Sequence, residues 1–132
     1  MTRFHHPPTI EDIVEMAEQA FAAIPKELRE LVRGAGIVVE DVADEDTAAE
    51  LGFESPWALT GLYRGVPLTH RSVMDAPMEP DSITLYREPI LLEWVETGED
   101  LFSLVRNVLI HEIAHHFGFS DDDIDRLEGE GE

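Results

Sequence analysis

The sequence has no cysteine among its 132 residues, which excludes a disulfide framework and any metal held by thiolate. A zinc ion, if one is used, must be bound by histidine and carboxylate. Positive charge is also scarce. Nine lysines and arginines stand against 29 aspartates and glutamates, a formal charge of −20 at pH 7. A surface this acidic repels phosphate backbones and anionic lipid, so neither nucleic acid nor membrane is an expected partner. No apolar run approaches the roughly 18 residues needed to span a bilayer. Met1 to Pro8 lack the apolar stretch of a secretory signal, and the expected compartment is the cytoplasm.

What is present suffices for a core. The side chains are 43% apolar, too many for an acidic disordered tail, and the length suits one domain over 1–132 with flexible ends at 1–8 and 128–132. Thr9 and Asp12 resemble a capping box. Ile10, Ile13, Val14, Ala17, Phe21 and Ile24 then recur at helical spacing, which predicts an amphipathic helix over 10–24. Pro25 suits the first turn of a second short helix through about Leu31. Ile37 to Val42 reads as a strand, 43–56 as a short acidic helix or loop, and Leu59 to Leu68 as a strand or hairpin arm interrupted by glycine. Residues 69–81 read as an ordered loop. Ser82 to Arg87 alternates polar and apolar and is the best strand candidate. Pro89 opens a short helix through about Val95, and Gly98 closes the turn after it.

From Asp100 to Phe117 the spacing predicts a long helix. Leu101, Leu104, Val105, Val108, Leu109, Ile113 and Phe117 are apolar at helical intervals, and Phe102, Ile110 and Ala114 widen that surface. Such a helix is central and buried on several sides. The pattern as a whole is one α+β domain, a small sheet packed with helices.

The chemistry lies on that helix, in His111-Glu112-Ile113-Ala114-His115-His116-Phe117-Gly118-Phe119-Ser120-Asp121. His111 and His115 project from one face about one turn apart, so two imidazoles can converge on one Zn²⁺. They continue the stripe of Leu104 and Val108, which predicts that they point into the buried side. Glu112 is rotated by about 100° from His111. From there it can reach a metal-bound water as general base without being a ligand. Gly118 can take the left-handed conformation that ends a helix. Asp121 then falls ten residues after His111, where a folded-back chain would offer a third ligand, with Asp122 and Asp125 as alternatives. Ser120 and Asp123 also form a capping box for a last short helix, which accounts for these acids without a metal. His116 faces away from His115 and is expected to be packed or to support the metal site from behind its ligands. His5, His6 and His70 are read as surface histidines with no role.

With Gly61-Leu62-Tyr63-Arg64-Gly65-Val66-Pro67-Leu68-Thr69 and Ile83-Thr84-Leu85-Tyr86-Arg87, this motif resembles the small bacterial zincin-like metallopeptidase domain family, from about Ile10 to Leu127. The resemblance implies a minimal zincin-like α+β fold: a small mixed sheet packed on helices, with the metal-binding motif on the last long helix. It implies one zinc ion on His111, His115 and Asp121, with Glu112 as general base. Larger zincins of the metzincin type carry histidine where Asp121 stands and a methionine turn after the motif. Here the last methionine is Met78, and eleven residues follow Asp121. A full cleft wall is missing, which directs the expectation to peptides or unfolded segments.

Zincin substrates generally lie extended along an edge strand, and Ser82–Arg87 is the candidate for it. An oxyanion donor besides zinc is expected among Tyr63, Tyr86, His116, Arg64 and Arg87. The charge favours cationic peptides. The resulting expectation is a zinc-dependent metallopeptidase. The alternative is a metal-binding regulatory module with weak or lost hydrolysis.

Overall fold

Residues 6–32, 34–65 and 81–129 are described in a computed structural model of the chain. The expected loop over 69–81 lies outside them except for Asp81, as do His5, His70, Met78 and the end of the glycine-interrupted arm.

Local chemistry starts the first and the last helix where the sequence suggests. Thr9 Oγ1 accepts from the Asp12 amide at 3.1 Å and Asp12 Oδ2 from the Thr9 amide at 2.9 Å. This reciprocal cap opens α1, Ile10–Ala23, whose buried side carries Ile13, Ala17 and Ala20. Pro25 precedes the short α2, Lys26–Arg29. Strand β1 is Gly36–Glu40. Asp44 caps α3, Glu45–Glu50, by accepting from the Thr47 amide at 2.7 Å. A single 3-10 turn at Pro56–Ala58 leads to β2, Gly61–Arg64, and β3 follows at Ser82–Tyr86. Helix α4, Arg87–Thr97, begins directly from the strand, two residues before Pro89, and ends on Gly98 at φ 72°. Asp100 caps α5, Leu101–His116, and Ser120 Oγ accepts from the Asp123 amide at the start of α6, Asp121–Gly129.

The three strands form one mixed sheet in the order β1-β3-β2. Strand β3 runs parallel to β1, with Ile37 opposite Ile83, and antiparallel to β2, with Gly61 opposite Leu85. This corrects one expectation. Ser82–Tyr86 is the central strand, with hydrogen bonds on both sides, so it has no free edge for a substrate. Its alternating pattern misled because Thr84 and Tyr86, on the other face from Ile83 and Leu85, are buried as well. Among the described residues, β2 is an edge strand beside the metal-motif helix.

The core lies between one face of the sheet and the pair α1 and α5. Ile13, Ala17 and Ala20 meet Val105, Leu109, Ile113, Ile83 and Leu85. Each of the valine, leucine and isoleucine side chains removed from water contributes roughly 1.5–3 kcal/mol before entropy is counted. A smaller cluster of Ala43, Leu59 and Tyr86 fills the opposite face. Arg106 is the charged residue buried within the core, 5% exposed. Its guanidinium donates to the Ala23 carbonyl at 3.4 Å and the Glu128 carbonyl at 3.1 Å. Those are final carbonyls of α1 and α6, where unpaired acceptors and the helix dipole favour a cation. Pro8, in the expected lead-in, is buried, and its carbonyl accepts from Arg87 Nε at 2.6 Å. No helix among the described residues is long and apolar enough to cross a membrane.

Candidate metal centre

Helix α5 is held on two sides. Strand β2 lies along the sector that carries Val108, Glu112 and His116: a Cβ built on Gly61 would meet Val108 Cγ1 at 3.0 Å and Glu112 Cγ at 3.2 Å, and the Tyr63 ring stacks on His116 with centroids 4.0 Å apart. Helix α6 returns along another side. The turn between the helices is a Schellman motif. The Phe119 amide bonds to the Ala114 carbonyl at 2.9 Å and the Gly118 amide to the His115 carbonyl at 3.1 Å, with Gly118 at φ 82°.

Between those two covered sectors lie His111 and His115. Their side chains are 50% and 53% exposed, so the expected burial of the pair is corrected. The stripe is buried at Leu104 and Val108 and emerges into solvent one turn later, because neither the sheet nor α6 covers that sector. The two rings are nonetheless together, stacked with centroids 4.5 Å apart and planes at 23°.

Asp121, at the first turn of α6, brings Oδ1 to 3.9 Å from His115 Nε2. Its alternatives Asp122 and Asp125 are exposed, and neither is the acid that approaches His111 or His115. From the far end of α6, Glu128 brings Oε2 to 3.7 Å from His111 Nδ1. No sequence spacing pointed to Glu128; it reaches His111 only because α6 folds back. Among the described residues, no three metal-ligating side chains are already gathered at one point. The donor types fit a hydrolytic zinc site all the same: two neighbouring imidazoles and an adjacent carboxylate.

Glu112 is different in kind. Burial alone pushes its carboxyl up to about 7, because an apolar surrounding disfavours the charged form. Gly61 makes that placement possible, since any side chain there would crowd Glu112 and the Thr84 carbonyl. A glycine inside a strand signals close approach of another group, and here the group is Glu112.

The oxyanion candidates separate by face. Tyr86 and Arg64 project from the other side of the sheet, where Tyr86 packs on Ala43 and Leu59. Arg87 is committed to the Pro8 carbonyl and Asp41. Tyr63 and His116 are on the side of α5, but the Tyr63 hydroxyl donates to Asp81 Oδ2 at 2.8 Å. His116 is half-buried under the Tyr63 ring and against Phe117, which agrees with its expected packing.

The family described as zincin-like metallopeptidase matches the chain over residues 20–130. Among solved structures, a conserved hypothetical protein from Thermus thermophilus is 26% identical, with a TM-score of 0.54, over 82% of this chain and 92% of that one. No curated protein matches.

Proposed function

The chain belongs to the zincin-like metallopeptidase family, and from that premise we propose that it is a zinc-dependent peptidase. In this reading His111, His115 and Asp121 hold one Zn²⁺, and Glu112 is the general base. The observation that carries it is the half-buried Glu112 beside a solvent-facing pair of stacked imidazoles, its carboxyl pushed up to about 7 by desolvation. A structural carboxylate gains nothing from such a place, whereas a base works best with its pKa near the operating pH.

Bound zinc would supply Lewis acidity toward a water and a peptide carbonyl. Glu112 accepts the proton of the attacking water and returns it to the leaving amine. Its partial burial makes that carboxylate a stronger base than a solvated one, while bound zinc would act in the opposite direction. An extended peptide pairs main chain to main chain along β2, an edge strand among the described residues, and Gly61 on that strand sets the peptide beside Glu112. The charge of −20 draws in cationic peptides and unfolded basic segments.

Half-exposed histidines and the lack of a gathered ligand trio among the described residues favour a second reading, a metal-binding module with little turnover. One set of assays separates them. Wild type, Glu112→Gln, His111→Ala and chelated protein are compared for zinc content and for hydrolysis of a broad peptide library. The peptidase reading requires turnover by wild type, its loss in the other three samples, and zinc retained by Glu112→Gln. Stoichiometric zinc in wild type with no turnover on any peptide leaves the binding module.

A further inference from the structure

Glu128 stands outside the motif, yet its position is built rather than incidental. Leu127 beside it is fully buried, which pins the last turn of α6 to the core. Its own carbonyl accepts from the buried Arg106 guanidinium at 3.1 Å. Arg106 lies on α5, five residues before His111, so the same helix that presents the histidine also fixes the backbone of the acid. The Glu128 side chain is 28% exposed and its Oε2 faces His111 Nδ1 at 3.7 Å.

The two histidines are addressed through different nitrogens. Asp121 approaches His115 at Nε2, whereas Glu128 approaches His111 at Nδ1. An imidazole that binds a metal uses one nitrogen and carries its proton on the other, and a carboxylate beside the protonated nitrogen selects that tautomer, orients the ring and increases its basicity.

We propose that Glu128 is a positioning residue for His111: its carboxylate holds the ring with the proton on Nδ1 and leaves Nε2 for the metal. The proposal rests on the metal site argued above and deepens it. It assigns Glu128 no bond to the ion and no contact with substrate. The side chain can be changed without touching the Arg106 bond, which is made by the Glu128 main chain.

The test measures Zn²⁺ affinity by competition with a chromophoric chelator for wild type, Glu128→Gln, Glu128→Asp and Asp121→Asn, with visible spectra of the Co²⁺-loaded forms. Glu128→Gln is expected to bind Zn²⁺ about 10–100-fold more weakly. Glu128→Asp should recover part of that loss. The Co²⁺ spectrum of Glu128→Gln should keep the band positions and intensity of wild type, because the ligand set is unchanged, while that of Asp121→Asn should not. Metal-free melting of Glu128→Gln should match wild type, which a merely structural role would not allow. Wild-type affinity in Glu128→Gln overturns the proposal, as does an altered Co²⁺ spectrum, which would make Glu128 a ligand. Wild type that takes up no zinc overturns the metal site itself, and with it this role for Glu128.

Discussion

Glu112 carries a cost that can be measured without any substrate. In the unfolded chain its carboxyl titrates near 4.5, and in the folded protein burial raises it to about 7. Between those values the folded state binds the extra proton. The contribution of this group to stability is therefore fully present below about pH 4.5 and is lost as pH rises through 7. Glu112→Gln removes the titration. At pH 8 the metal-free variant should be more stable than wild type by up to about 3 kcal/mol, and at pH 4 the two should coincide. Urea denaturation with chelator at both pH values checks this; equal stability at pH 8 would mean that the carboxyl is well solvated. Bound zinc should shrink the difference, because a nearby dication favours the ionised carboxylate.

At the scale of elements, the short return from α5 to α6 decides which acids reach the histidines. Gly118, at φ 82° with no heavy atom within 4 Å of where a Cβ would stand, is held in the left-handed region by conformation, not by crowding. Gly118→Ala should therefore cost about 1–2 kcal/mol of stability. Its effect on zinc affinity should be larger than that loss alone implies, since any tilt of α6 moves both Asp121 and Glu128. Calorimetric zinc titration beside thermal melting separates the two effects. The turn was readable in advance from Gly118, Ser120 and Asp123, because capping and positive φ are local demands. The place of β3 was not, since alternation in five residues looks the same on an edge strand and on a central strand buried on both faces.

For the molecule as a whole, the charge of −20 acts over distances comparable to the Debye length, about 10 Å at 0.1 M salt. The kcat/KM for a Lys- and Arg-rich peptide should fall several-fold between about 50 and 500 mM NaCl, while that for an uncharged peptide of equal length stays nearly constant. Matching salt profiles for the two peptides would place recognition in main-chain pairing alone. The same charge is distributed over α1, α3, α4 and α6, so no single acidic residue should account for the effect.

The sequence by itself determined the first, the long and the last helix, the caps at Thr9 and Ser120, the family resemblance and the spacing that pairs His111 with His115. All of these depend on spacings within a few residues, where 3.6 residues per turn and the hydrogen-bonding needs of helix ends leave little freedom. Tertiary structure alone decided that β2 is an edge strand among the described residues, that Gly61 makes room for Glu112, that the histidine pair faces solvent, and that Glu128 meets His111. Those four facts arise from segments far apart in the chain, brought together by how α1, α5, α6 and the sheet share one core. A single sequence carries no local signal for such a meeting, because the energy that enforces it is the burial of side chains elsewhere.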